Sequence, residues 1–168
     1  RSGTTWNVLA NQVPFVPTQR RVRGEAVYSM DKWDGYAVQQ RRVAAALASA
    51  TVRNPVILTG DVHVSWVADL PRDLADPGTA PVATEFVGTS ISSGGNGAPL
   101  PGWGRTMLEN NPHMKFFNGE RGYVRCTVTR ERWTADYRVV PFVDRPGAPV
   151  ETAGSFVVEA GKGGVQRG

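Results

Sequence analysis

An α/β fold, with a mixed or parallel sheet followed by antiparallel strands, is predicted by three features of the 168-residue sequence. An alternating segment near the N-terminus, an alanine-rich amphipathic segment and a short apolar run follow one another as strand, helix, strand. That order requires a crossover connection. Two strictly alternating segments, residues 123–129 and 133–140, are separated by Arg130, Glu131 and Arg132 and read as an antiparallel hairpin. A hydrophobic content of 40% with 20% charged residues is that of an ordinary globular domain, long enough to bury a core.

Thr4 to Val13 places Trp6, Val8 and Ala10 on one face and Asn7, Leu9 and Asn11 on the other, a strand ending at Gln12 and Pro14. A polar loop carrying Arg20, Arg21 and Arg23 leads to Asp31-Lys32-Trp33-Asp34-Gly35-Tyr36, read as residues that hold the entry to a helix. Ala37 to Ala50 sets Val43, Leu47 and Ala50 at helical spacing. Val56, Ile57 and Leu58, between a proline and a glycine, have the pattern of a strand buried on both faces. A loop with Pro71, Pro77, Gly78 and Pro81 is expected after Trp66, and then a strand at Val82 to Val87 that contains Glu85. Gly88 to Gly104, dominated by glycine, serine and proline, reads as a functional loop or lid. A helical turn over Arg105 to Asn110 precedes the hairpin, Ser155 to Glu159 is the last strand, and the tail from Gly161 is expected to fray.

The net charge of +4 comes from 16 Arg and 3 Lys against 15 acidic residues. The basic residues are scattered, with no run of five, so a nucleic-acid partner is not expected. Cys126 can form no internal disulfide and is read as a buried free thiol. No apolar run approaches the roughly 20 residues that cross a bilayer, and no signal-peptide pattern is present. Starting at Arg1, within sequence that already reads as folded protein, the chain is expected to be a processed or excised piece.

The chemistry concentrates in Asn54 to Trp66, NPVILTGDVHVSW. Gly60 permits a tight turn after the buried strand, and Asp61 and His63 follow two residues apart, able to converge just beyond the sheet. A carboxylate and an imidazole are oxygen and nitrogen donors for a hard or borderline metal. Alone, the same four residues are equally an ordinary turn at a strand end.

Several motifs occur in order: W-N-V-L-A-N-Q-V from Trp6, D-x-W-D-G-Y from Asp31, N-P-V-I-L-T-G-D-V-H from Asn54, E-F-V-G-T-S-I-S-S from Glu85, N-P-H-x-K-F from Asn111 and R-G-Y-V from Arg121. Together they resemble the C-terminal half of PhoD-like phosphodiesterases and alkaline phosphatases, within the calcineurin-like metallophosphatases, relatives of which include a secreted actinobacterial phospholipase D. The resemblance implies a four-layer α/β/β/α sandwich, with this chain supplying the C-terminal half of one catalytic domain. It also implies a secreted enzyme with iron (Fe3+) and calcium.

Asp61 and His63 then occupy the place of the final metal-binding motif, and Glu85 that of a further, calcium-side ligand. Gln12 replaces a histidine with an amide on the substrate side. Val64 stands where relatives often carry a polar residue, which implies a calcium site either weakened or completed by water. His63 and His113 are the catalytic candidates, His113 as proton donor to the leaving alcohol, as a phosphate ligand, or simply as a hydrogen-bonded loop residue. Arg121 is either a phosphate clamp or a strand-start residue, and Trp103 either a loop anchor or a platform for an apolar leaving group. The first aspartate, the Asp-x-x-Tyr pair and the bridging aspartate of the resembled family are absent, so a separate N-terminal fragment is the expected partner. The expected reaction is metal-assisted hydrolysis of a phosphoester or phospholipid. The alternatives are a β-sandwich binding module and a structural half-domain without catalysis.

Overall fold

A computed structural model describes residues 3–168. Its first sheet contains β1 (Asn7–Ala10), β4 (Pro55–Thr59), β6 (Asp76–Val87), β5 (Ser65–Asp73) and β7 (Met114–Asn118), in that spatial order. β1, β4 and β6 are mutually parallel, and β5 runs antiparallel to both β6 and β7. A second, antiparallel sheet is ordered β11 (Gln166–Arg167), β10 (Glu151–Glu159), β9 (Arg132–Val140), β8 (Arg121–Val128). β2 (Arg20–Val22) and β3 (Glu25–Val27) form a separate hairpin.

Side-chain alternation along the first sheet builds two cores. Val56, Val67 and Phe86 face Trp133, Ala135, Tyr137, Phe156 and Val158 of the second sheet. Ile57, Trp66, Ala68, Leu70, Ala83 and Val87 point the other way, under Phe15, Val16 and the helices α1 (Ala37–Leu47) and α2 (Gly102–Asn110). Three rings, Phe116, Tyr137 and Phe156, close on one another between the sheets at centroid distances of 5.0, 5.1 and 5.9 Å. The Tyr137 hydroxyl, fully buried, donates to the Trp66 carbonyl at 2.7 Å and so ties the two sheets together.

The mixed sheet, the crossover helix and the antiparallel strands are as expected. The helical layer covers one face of the first sheet, so the described residues form three layers, helix, sheet and sheet. α1 ends at Leu47, three residues earlier than expected, with Val43, Ala44 and Leu47 packed inward. The segment expected as a proline loop after Trp66 is instead the β5–β6 hairpin, turning at Leu74 and Ala75. Its prolines are tolerated because β7 leaves β5 at Ala68 and β4 reaches β6 only from Thr84 on. Beyond those points the ribbon has two strands, Pro71 pairs with Pro81 at a register shift, and no third strand needs their missing N–H groups.

Three further expectations are corrected. The arginine-rich loop contains the β2–β3 hairpin, whose two turn residues, Arg23 and Gly24, both have positive φ as such short turns require. The tail does not fray: the Val165 amide donates to Asp69 at 3.0 Å, Gly163 and Gly164 lie against Pro81, and β11 then pairs with β10. Cys126 is exposed, because the second half of β8, from Arg125 to Val128, is an outer edge that pairs only with β9 among the described residues.

Replacing Tyr137 by phenylalanine keeps the ring packing but leaves the buried Trp66 carbonyl without its donor. Tyr137→Phe is expected to cost about 1–3 kcal/mol, measured as a lower midpoint in urea with an unchanged slope.

Candidate functional site

The carboxyl ends of β1, β4, β6 and β7 open on one edge of the first sheet, since β7 is antiparallel to β5 and therefore aligned with the parallel three. Residues 11–19, 60–64, 88–101 and 119–120 all leave the strands there. Open α/β sheets bind their ligands at such an edge, where loops from several strands converge.

Asp61 and His63 sit in the loop after β4. Val62 and Val64 turn inward onto the helix-side core, and that anchors the loop in the register that leaves Asp61 and His63 exposed. Both have left-handed backbones, φ +73° and +54°, a region that costs a non-glycine residue about 1–3 kcal/mol. Neither side chain is hydrogen-bonded to another described residue. The turn is held through its backbone instead: the Val62 amide donates to the Gly60 carbonyl at 2.9 Å across Asp61, and the His63 carbonyl accepts from Arg121.

Lys32 brings positive charge toward Asp61, and its ammonium lies 5.8 Å from the centre of the Trp66 ring. Desolvation holds its pKa below the usual lysine value. Lys32 also lines a cleft of about 400 Å³ with Asn11, Gln12, Trp33 and Tyr36, between the end of β1 and the start of α1. Gln12 is therefore an exposed rim residue of this edge. The sequence carried a signal for Lys32, its place inside D-K-W-D-G-Y, but that motif reads as a helix entry until folding sets it on the cleft that Asn11 and Gln12 line.

Glu85, wholly buried, lies behind the pair. Its carboxylate accepts from the Phe15 amide at 2.7 Å, the Val16 amide at 3.0 Å and the Thr59 hydroxyl at 3.0 Å. Burial pushes its pKa up to about 7 against those three donors, which pull it down. Arg121 is also buried, and it spends its donors on loops of the same edge: the carbonyls of Gly95 (2.8 Å), Gly119 (3.0 Å) and His63, and the hydroxyls of Thr89 and Ser90 (3.2 Å each).

A model of the family described as "PhoD-like phosphatase" matches residues 1–137. The chain belongs to the PhoD-like phosphatase family. It is 48% identical over 162 residues to the alkaline phosphatase D of Bacillus subtilis (strain 168), covering 96% of this chain and 28% of that protein. It also superposes with a TM-score of 0.90 on a solved structure described as "Structure of PhoD", at 47% identity, covering 97% of this chain and 31% of that one. The chain thus spans less than a third of the length of either relative, and corresponds to their C-terminal part.

Within this PhoD-like chain the candidates divide. Asp61, His63, Gln12 and Arg121 gather at the strand-end edge, Arg121 in the strand-start role with its guanidinium directed to backbone and hydroxyl oxygens. His113 does not join them. It precedes β7 at the end opposite Asn118, where its carbonyl accepts from the Asp69 amide at 2.9 Å, while its buried ring donates from Nε2 to the Pro17 carbonyl at 2.9 Å. Desolvation lowers its pKa, and the bond to Pro17 is the one that the loop-residue reading, the third of the three, expects. Trp103 is 53% exposed and packs edge-on against Phe117 at 4.9 Å. An outward carboxylate and imidazole suit a metal that takes oxygen and nitrogen ligands. Among the described residues, however, no group of three His, Cys, Asp or Glu side chains comes together, so the pair falls short of a full ligand set.

Two outcomes follow from this geometry. In metal-free protein, Asp61→Gly and His63→Gly are expected to leave stability unchanged or raise it by up to about 1 kcal/mol, because glycine relieves the left-handed backbone; chemical denaturation measures this. For Glu85, the folded state holds a proton that the unfolded chain has already released between pH 4.5 and about 7. Stability therefore falls as the pH rises across that window. Glu85→Gln is expected to remove the slope in a series of thermal unfolding curves, and to cost about 1–3 kcal/mol at neutral pH because one backbone amide loses its acceptor.

Proposed function

We propose that this chain is the C-terminal part of a metal-dependent phosphoester hydrolase whose active site is completed by the remainder of the polypeptide, expected as an N-terminal fragment held beside it. The observation that carries the reading is the Asp61–His63 pair, exposed and backbone-strained where three parallel strands end. Structural and catalytic metals take at least four ligands, so a two-donor half-site calls for donors from elsewhere. The open outer edge of β1, which pairs only with β4 among the described residues, offers a place for further strands to dock.

In this reading Asp61 and His63 hold the metal, with iron (Fe3+) and calcium the pair that family resemblance favours. When bound, the metal supplies Lewis acidity and a water acidic enough to act as nucleophile near neutral pH. Lys32 offsets the charge of the phosphoryl oxygens across the cleft. Gln12 donates its amide to the ester on the β1 side, and Val62 and Val64 keep the floor of the loop dry. Glu85 secures the Phe15–Val16 segment behind the pair. The Trp33 and Tyr36 faces of the cleft accommodate an apolar leaving group, which makes a phospholipid the more specific substrate proposal and a secreted location its natural setting. No helix of the described residues is long and apolar enough to cross a membrane.

The test is Asp61→Ala in the full-length enzyme. It is expected to lower both bound metal and turnover of bis-p-nitrophenyl phosphate and phosphatidylcholine, by more than the roughly 100-fold that altering the surroundings of a ligand costs. Metal content and turnover equal to the parent's would remove Asp61 from the site and with it this reading.

A further inference from the structure

Among the described residues, Arg121 is the one guanidinium that reaches three of the loops at the strand-end edge. It takes the His63 carbonyl from the loop after β4, Thr89, Ser90 and Gly95 from the loop after β6, and Gly119 from the turn between β7 and β8. The residue is 5% exposed, and no ion pair joins it to a described carboxylate. All its hydrogen bonds thus go to neutral oxygens, an arrangement that spends a buried charge on positioning.

The loops are shaped around it. A side chain at Gly97 would meet the Gly119 carbonyl at 2.0 Å and the Arg121 guanidinium at 2.9 Å, and Gly97 itself has φ +76°. At Gly94, φ +89°, an added carbon would lie 3.8 Å from the guanidinium and 3.9 Å from Nδ1 of the His63 ring. The backbone of Arg121 is equally constrained, since its neighbour Gly122 passes so near the Arg138 carbonyl that any side chain would fall 1.9 Å from it, while the Gly122 amide donates to Ser90 at 3.1 Å.

We propose that Arg121 is the positioning residue of this site, whose hydrogen bond to the His63 carbonyl holds the left-handed Asp61–His63 turn so that both side chains face the metal. The proposal rests on the reading that those two residues are ligands. Left-handed backbone at two non-glycine residues two positions apart relaxes unless neighbouring structure over-determines it. The carbonyl of His63 is the handle by which Arg121 does so. Planar donors spread over three nitrogens span acceptors from three loops, whereas the ammonium of lysine offers its donors from one point.

The experiment compares the parent full-length enzyme with Arg121→Lys, Arg121→Gln and Tyr137→Phe, the last as a destabilised control that leaves every Arg121 hydrogen bond in place. Iron and calcium affinities are measured by competition with a chelator, and amide hydrogen exchange is followed over residues 60–65. Both Arg121 variants are expected to bind metal roughly 10–100-fold more weakly and to exchange faster in that segment at temperatures well below unfolding. Tyr137→Phe is expected to keep the parent's affinity.

Parent-like affinity and exchange in Arg121→Lys would overturn the proposal, as would an equal loss of affinity in Tyr137→Phe. If the Arg121 variants do not fold, a Thr89→Val/Ser90→Ala double variant removes two acceptors and leaves the guanidinium in place. Weaker metal binding and faster exchange over 60–65 are then expected, and no change in either would be decisive against it. Should Asp61→Ala retain all its metal, the ligand reading fails by itself, and the exchange measurement still decides whether Arg121 holds the turn.

Discussion

The double burial of β4 is the constraint from which the rest follows. Val56 and Leu58 face the second sheet while Ile57 faces the helices. A slip of one residue would send each side chain into the wrong core. The strand is also hydrogen-bonded on both sides, to β1 and to β6. Its end is thereby placed to within a fraction of a residue, and so is whatever leaves it. Val62 and Val64 extend that register past the strand by returning to the helix-side core. A loop with two such footholds has little freedom left for the residues between them.

The other loops are bound to the same edge by polar groups that are themselves buried. Glu85 receives the Phe15 and Val16 amides, and Gln40 of α1 donates to the Phe15 carbonyl at 2.7 Å, so one short segment is stitched to both sheet and helix. Asn111 does similar work further along, accepting from the Gln19 amide at 2.8 Å and donating to the Gln19 carbonyl at 2.9 Å. Fully satisfied buried polar groups rigidify their surroundings. The edge is thus a set of loops without regular structure that nevertheless has one arrangement.

Much of this was legible in the sequence. The apolar run before Gly60, the alanine-rich helix and the hairpin around Arg130 depend on local pattern, and local pattern reported them. The β5–β6 ribbon was hidden because prolines argue against strands, and only the absence of a third neighbour makes Pro71 and Pro81 harmless; that is a fact of topology. The tail was misread for the same kind of reason: its glycines signal freedom until Asp69 and Pro81 are brought alongside. Asp61 and His63 could be named from residue type and spacing, but their left-handed backbones could not. Arg121 and Lys32 could be seen as charges, whereas what each faces is decided by residues 58 and 29 positions away.

The proline-bearing ribbon has a consequence for how the protein behaves in crowded or concentrated solution. A two-stranded arm that projects past its sheet would ordinarily offer fresh backbone donors and acceptors to passing chains, the first step toward fibrous assembly. Pro71, Pro77 and Pro81 interrupt the row of N–H groups along the arm, and the shifts in pairing around Pro71 twist what remains out of line. The arm can therefore lengthen the hairpin while discouraging strangers from adding to it.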